Sequence, residues 1–224
     1  MSVIAFSSDF GSEGASIAHQ IAQRLGLTML DHSNVLDRLA GHGFTLPDEI
    51  GTGRSGQAFQ ENNWRLHKIG KIISSEILFL AQKNNMMLLS PYAPYLLAGI
   101  AHIPRIRVRA SLRQRTANIA AASECGEAVA SQKIHAEDAK TNLVLASRFG
   151  VDSPDRPEHF DLIADTGWLT AHEWTEQILD LVQDDDFLPT SSSFDKLRAL
   201  ATEAAAPAFS RGGRAGPEQA CASC

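Results

Sequence analysis

The sequence predicts an α/β protein in which a central, mostly parallel sheet is covered by helices on both faces. Short apolar runs, each typical of a buried strand, alternate along the chain with longer segments of helical periodicity. The clearest of these runs lie at 3–6, 86–89 and 160–166. Because parallel strands are joined by crossover helices, this alternation places helices on both sides of the sheet.

A turn of small residues separates the first strand from the first helix. Ser, Asp and Gly dominate 7–16, and apolar residues then recur at helical spacing up to Gly26. Strand, small-residue turn and helix is the layout of a phosphate-binding turn, because glycine lets the backbone approach an anion and the first helical amides point at it. A turn that binds no ligand is the alternative, since small-residue turns between strand and helix are common.

The turn differs from a regular Walker A loop, whose lysine reaches the terminal phosphates and whose hydroxyl holds magnesium. It contains no lysine, Ser16 stands at the position of the hydroxyl, and Glu13 adds a carboxylate beside the expected phosphate. Asp9 is interpreted as a second magnesium ligand, as an acceptor for a substrate hydroxyl, or as a cap of the turn. The residues predicted to bind the nucleotide here are Gly11, Ser12, Glu13, Gly14, Ala15 and Ser16.

The remaining elements continue the alternation of strands and helices. A second strand at 27–30 precedes a helix that Asp31 and Ser33 can cap, and a glycine-rich loop follows at 41–56. A long helix is expected at 57–83. Further strands are expected at 86–89, 105–109 and 160–166, with helices at 112–122, at 127–149 and after Thr170.

Composition divides the chain into one domain, 1–185, and a flexible C-terminal tail, 186–224. We expect a linker at 190–193, a short helix at 194–206, and disorder beyond it, where Gly, Ala and Pro dominate. Cys221 and Cys224 have C-x-x-C spacing but lie in this tail, away from the βα setting of a redox motif.

Charge and composition argue against several classes of function. The net charge of −6 gives no support for nucleic-acid binding, and the three cysteines form no disulfide framework. No apolar run approaches the roughly 20 residues that span a bilayer. The histidines lack metal-ligand spacing, which predicts no structural zinc. We find no signal peptide, and the expected location is the cytoplasm.

Two stretches resemble the cytidylate kinase-like family, relatives of the nucleoside monophosphate kinases. Residues 3–18 are similar to its opening pattern, I-T-I-S-R-E-Y-G-S-G-G-x-x-I-A, and 160–166 are similar to its Y-D-L-x-x-N-T strand. The resemblance extends over about 2–183. It implies a P-loop NTPase-type three-layer sandwich with a helical lid, and a protein that binds ATP and Mg²⁺.

The resemblance also implies roles for side chains far along the chain. Asp165 and Thr166 are expected near the adenine base, with a helix cap as the alternative. The resemblance makes the helix at 127–149 the lid, and its cations are expected to gather around the transferred phosphate, with a solvated helix face as the alternative. Asp138 would position magnesium-bound water or pair with a neighbouring cation. The catalytic residues implied in this way are Arg115, Lys133, Lys140 and Asp138.

Departures from the family pattern weaken the expectation of catalysis. Ser8 replaces an arginine, Glu13 replaces a glycine, and Thr141 stands at the arginine of the lid pattern D-x-x-R. The family's V-G-R after the third strand is replaced near Ser90. A single arginine can contribute about 10³-fold or more to the rate of phosphoryl transfer. The loss of several of these residues therefore predicts a weak or inactive enzyme.

Three functional hypotheses follow. The first is a kinase-like enzyme that transfers phosphate from ATP to a nucleoside monophosphate, CMP-like, or to another small acceptor bound over 31–70. The second is a catalytically inactive nucleotide or anion sensor, or an interaction module, on the same fold. A third hypothesis is a structural protein or an assembly subunit that associates through the apolar 57–83 helix. A homodimer is left open, and neither nucleic acid nor a membrane is expected as a partner.

Overall fold

The central element is a five-stranded sheet in which all neighbouring strands run parallel. The computed structural model describes residues 3–31, 34 and 70–205. Val3 lies opposite Met86 and Ala5 opposite Arg105, so the carboxyl ends of the strands meet at one edge. In the order β2-β3-β1-β4-β5 across the sheet, the strands are β1 (Val3–Ser8), β2 (Thr28–Asp31), β3 (Met86–Leu89), β4 (Arg105–Arg109) and β5 (Leu162–Asp165).

Seven helices flank the sheet within the described ranges. The predicted bounds of the helices at 112–122 and 127–149 are confirmed. The predicted helix at 57–83 is helical at 70–81, and its first part lies outside the described residues, as does the predicted loop at 41–56. In chain order the helices are α1 (Gly14–Leu25), α2 (70–81), α3 (Ala93–Leu96), α4 (Leu112–Ala122), α5 (Glu127–Phe149), α6 (Ala171–Leu181) and α7 (Ser191–Ala205).

Two apolar layers hold the helices on opposite faces of the sheet, which confirms the predicted three-layer α/β architecture. Alternate side chains of the central strand β1 divide between them: Ile4 and Phe6 pack towards α1 and α6, whereas Val3 and Ala5 pack towards α2, α3 and α7. All four of these residues are buried. A strand that is apolar on both sides is typical of the centre of a parallel sheet.

Capping residues set the helix ends where the sequence predicts them. Gly26 and Gly150 adopt left-handed conformations after α1 and α5, with φ of 64° and 63°. Thr170 and Glu173 form a reciprocal capping box at the start of α6. Among the described residues, no helix combines the length and the apolar character needed to cross a bilayer.

The segment expected as a linker is part of a packed helix instead. Residues 191–193 form the first turn of α7, and Thr190 Oγ1 accepts a hydrogen bond from the Ser193 amide at 3.1 Å. The prediction of a linker there was wrong because serine and threonine also cap helices. Leu197 is buried in the core, so α7 belongs to the same packed body. The domain boundary at 185 stays a prediction, and the tail beyond 205 lies outside the described residues.

The contact between α7 and the β3–β4 connection depends on a buried histidine. His102 Nδ1 lies 2.7 Å from Ser193 Oγ, and its ring packs on Phe194 with 4.7 Å between centroids. Lys196 Nζ donates to the Gly99 carbonyl at 2.8 Å. The neutral imidazole is the form that this apolar setting favours, because burial lowers the pKa of His102.

Acidification should therefore weaken the fold through His102. The unfolded histidine titrates near its ordinary pKa of about 6.5, and the native one titrates lower. Below about pH 6.5 the unfolded state binds the extra proton, so stability falls until the pH passes the native pKa. Urea unfolding at pH 7.5 and 5.5 measures this loss. His102→Asn should reduce it, whereas the exposed His135→Asn should not; equal pH dependence in all three proteins would contradict the prediction.

Candidate functional site

A cleft of about 900 Å³ opens at the carboxyl edge of the sheet. It lies between the strand ends, the middle of α5 and the 151–157 loop, where open α/β sheets bind their ligands. Its lining holds the three arginines Arg107, Arg109 and Arg115. The acidic residues in the lining outnumber them at six: Asp9, Asp31, Glu137, Asp138, Asp155 and Asp165.

The turn between β1 and α1 is built by close backbone approach. A Cβ added at Gly14 would lie 2.3 Å from the Ser8 Cβ, so only glycine lets α1 start this near the strand. The Ser12 hydroxyl and amide both donate to the Asp9 carbonyl, at 2.8 and 3.1 Å, and Asn118 Nδ2 donates to the Gly11 carbonyl at 2.9 Å. These bonds fix the turn from within the protein.

The first amides of α1 have no side-chain cap. Ile17 donates the first intrahelical bond, to the Glu13 carbonyl at 3.2 Å, and no side chain caps the helix start. The amides of residues 14–16 therefore have no partner within the helix. A second cavity of about 670 Å³ lies beside them, lined by 8–15 and by one face of α4. The helix start is thus shaped for an anion and accessible from solvent.

Glu13 takes a backbone conformation that favours glycine. Its φ is 65° and its side chain is exposed. A left-handed non-glycine residue costs on the order of 1 kcal/mol. The Glu13 side chain makes no capping hydrogen bond to the helix start.

Arg107 is the central buried cation of the cleft. Only 6% of its side chain is exposed, and its guanidinium binds two carboxylates: Nη2 donates to Asp9 Oδ1, and Nε donates to Asp155 Oδ1 at 3.0 Å. Burial alone would lower the pKa of Arg107, but the two carboxylates outweigh it and raise that pKa. Burial also raises the pKa of Asp9, despite the attraction of Arg107 and Arg115. Arg107 thus stays charged and holds the end of β1 against the 151–157 loop.

Arg115 connects α4 to α5 across the cleft. Its guanidinium makes three contacts of 3.0 Å to the two carboxylate oxygens of Asp138. Its Nε lies 4.0 Å from Asp9 Oδ2 and, buried as it is, has no hydrogen-bond partner. The structure therefore pairs Asp138 with Arg115, one of the predicted alternatives, and leaves Lys140 to pair with Glu137 at 2.8 Å.

Asp165 and Thr166 lie at the end of β5, beside the cleft. Asp165 Oδ2 accepts from Arg109 Nε at 3.2 Å, and its carbonyl accepts from Trp174 Nε1 at 2.9 Å. The Thr166 carbonyl accepts from Gln114 at 3.2 Å. Neither residue caps α6, since Thr170 does so. The helix-cap alternative for this pair was therefore wrong.

Comparison with known proteins agrees with this architecture. The cytidylate kinase-like family matches residues 3–167, which is most of the chain. The chain belongs to the cytidylate kinase-like family. Its fold is also similar to the crystal structure of an uncharacterised protein from Eubacterium ventriosum, with a TM-score of 0.63 and 14% identity over 81% of this chain and 97% of that one. No curated protein matches the chain.

In this cytidylate kinase-like protein, some predicted site residues are not brought together. Lys133 and Lys140 are exposed on α5 and are not part of the cleft lining, which includes Arg115 and Asp138. Ser16 is exposed on the first turn of α1, where its hydroxyl accepts from Gln20 at 3.4 Å. Ala15 lines the cleft.

Several residues that line the cleft were not predicted as site residues, among them Arg107, Arg109 and Asp155. The sequence predicted only a strand at 105–109 for the two arginines and assigned no role to Asp155. The alternation Arg-Ile-Arg-Val-Arg was the available signal, because a charged residue in a strand next to the central one needs a buried partner. The partners themselves, at positions 9 and 155, are too distant in sequence for periodicity to indicate them.

The acidic lining fits a magnesium ion that arrives with phosphates. No group of three potential ligands is assembled among the described residues. Mg²⁺ usually takes one or two carboxylates and completes its shell with water and substrate phosphates, so such a group is not required. Asp9 lines the cleft, but its carboxylate is bound by Arg107, and Ser16 lies on the exposed helix start.

Proposed function

We propose that this family member binds a nucleoside triphosphate with magnesium in the cleft and transfers its terminal phosphate to a small acceptor, such as a nucleoside monophosphate. The observation that carries this proposal is the uncapped start of α1, which opens beside a cleft lined by three arginines. Backbone amides and guanidinium groups are the two donor types that bind phosphate oxygens most effectively.

The chain's own groups would act by positioning and by neutralising charge. The amides of 14–16 would hold the phosphates at the helix start, while Gly14 keeps that start close to β1. Arg115, which reaches from α4 to Asp138 on α5, would neutralise the oxygens of the transferred group. When bound, magnesium would supply further neutralisation of the phosphate oxygens. The acceptor would sit over 31–70, of which Asp31 lines the cleft.

Measurement of nucleotide binding and turnover tests the proposal. We expect calorimetry to detect ATP with Mg²⁺, and a coupled assay over the common nucleoside monophosphates to detect transfer. Arg115→Met should lower turnover by about 10³-fold or more. Arg113→Met, an exposed arginine on the same helix, is the matched control and should leave turnover unchanged. ATP binding without turnover on any acceptor would reject the catalytic half of the proposal.

A non-catalytic nucleotide or anion sensor is the second candidate. It is favoured by the pairing of the three cleft arginines with carboxylates, together with the acidic residue at the turn. In that case Glu13→Gly combined with Ser8→Arg should raise ATP affinity without producing transfer. Unchanged affinity in this double variant would show that the β1–α1 turn is not where the nucleotide binds.

A further inference from the structure

The carboxylate of Asp155 occupies the space between two cleft arginines. Its Oδ1 accepts from Arg107 Nε at 3.0 Å, and its Oδ2 lies 4.0 Å from Arg109 Nη1. Guanidinium groups bind carboxylate and phosphoryl oxygens with the same paired N–H donors, so two arginines that bridge a carboxylate can also bridge a phosphoryl group. Asp155 therefore fills a position that an anionic ligand could take.

The two carboxylates held by Arg107 differ in how firmly the chain fixes them. Asp9 directly follows β1, its side chain is 17% exposed, and its Oδ2 also accepts from the Ala110 amide at 3.4 Å. Asp155 lies in a connection without regular structure, and 37% of its side chain is exposed. Asp9 is thus a fixed part of the cleft, whereas Asp155 can leave it for solvent.

The loop that carries Asp155 is fastened on either side of that residue. Val151 and Phe160 are buried at its two ends, and Tyr95 Oη donates to the Pro154 carbonyl at 2.9 Å. The neighbouring Asp152 is exposed and does not line the cleft. The Asp155 side chain can therefore turn outward while the loop stays attached to the domain.

We propose that Asp155 is an internal substitute for a ligand's anionic group, and that a phosphoryl group entering the cleft displaces its carboxylate from Arg107 and Arg109. This inference rests on the proposed function, because it concerns the same cleft. A multiply charged phosphoryl group outcompetes a single carboxylate for two guanidinium groups, whereas a monovalent anion does not. Asp155 thereby lowers the affinity for all anions and makes the cleft selective for highly charged ones.

Pyrophosphate binding by matched variants tests the displacement. Asp155→Asn removes the competing charge, while Asp152→Asn removes the same charge from the same loop away from the arginines. At constant ionic strength, Asp155→Asn should bind inorganic pyrophosphate about tenfold more tightly than the natural chain. Asp152→Asn should bind pyrophosphate with nearly the same affinity as the natural chain. Equal affinities in the natural chain and Asp155→Asn, equal gains in both variants, or no binding by any of the three would overturn the proposal.

An arginine variant shows whether the gain in pyrophosphate affinity depends on both guanidinium groups, those of Arg107 and Arg109. In an Arg109→Met background, Asp155→Asn should raise the pyrophosphate affinity less than it does in the natural chain, because one of the two released cations is missing. An undiminished gain would overturn the proposal. The outcome is separable from that of the transfer assay. Pyrophosphate displacement without any phosphate transfer would overturn only the proposed enzymatic function, whereas transfer with equal pyrophosphate affinities would overturn only the role of Asp155.

Discussion

Replacing Arg107 by methionine should lower the free energy of unfolding by about 3 kcal/mol. Arg107 is buried between Asp9 and Asp155, and methionine fills a similar volume without the charge. The substitution leaves Asp9 buried with only Arg115, 4.0 Å away, as a cationic neighbour. Breaking a buried pair by removing one partner costs more than the pair itself contributes, because the remaining charge stays desolvated. Urea unfolding at neutral pH measures the loss.

Arg109→Met is the matched control for this substitution. Arg109 lies two residues further along β4, but its side chain is 35% exposed, so its pair with Asp165 should contribute about 1 kcal/mol or less. Lowering the pH should narrow the deficit of Arg107→Met, because protonation of Asp9 removes the unpaired charge. The interpretation of Arg107 would be wrong if both arginine variants lost the same stability.

Gly14→Ala should destabilise the protein by about 3 kcal/mol and shift the start of α1. The new Cβ would lie 2.3 Å from Ser8 Cβ, closer than such atoms can approach, and 3.1 Å from Val108 Cβ, which is a tight contact. Both contacts are with strands of the sheet, so the helix itself must move outward. Thermal unfolding measures the loss of stability, and ATP titration measures whether the displaced amides still bind.

Gly126→Ala provides the control for the loss of a glycine. Gly126 precedes α5 with φ of −68°, and a Cβ there would meet no atom within 4 Å. Gly126→Ala should change the free energy of unfolding by no more than about 0.5 kcal/mol. Adding Ser8→Gly to Gly14→Ala should restore part of the stability by removing the nearer contact. Full additivity of the two substitutions would show that Ser8 is not the obstacle.

Much of the fold could be predicted because local patterns determine it. Apolar runs marked strands at 3–6 and 86–89, and the bounds of α4 and α5 followed from their caps and periodicity. The segment at 190–193 shows the limit of this method. A run of Ser and Thr has the same composition whether it is a linker or a cap, and only the burial of Leu197 decides between them.

The cleft was less predictable, because its contacts join distant parts of the chain. The pairing of Arg115 with Asp138 could be stated as an alternative, since both belong to the helical region after β4. Arg107 pairs with residues 98 positions before it and 48 positions after it, and no local pattern encodes such partners. Lys133 and Lys140 were candidates because the family resemblance implied a lid with cations; they are exposed on α5 and do not line the cleft.

The long sequence separations around Arg107 have a kinetic consequence. A contact that closes a long loop forms after the local helices and the first strand pairs, since loop closure has an entropic cost. Because Arg107 can meet Asp9 only once β1 and β4 have paired, the ionic junction of β1, β4 and the 151–157 loop should assemble late, on the native side of the folding barrier. Interactions absent from that barrier act mainly by slowing unfolding. The ion pairs of the cleft should therefore act on the unfolding rate, and so on the lifetime of the folded molecule, more than on the folding rate.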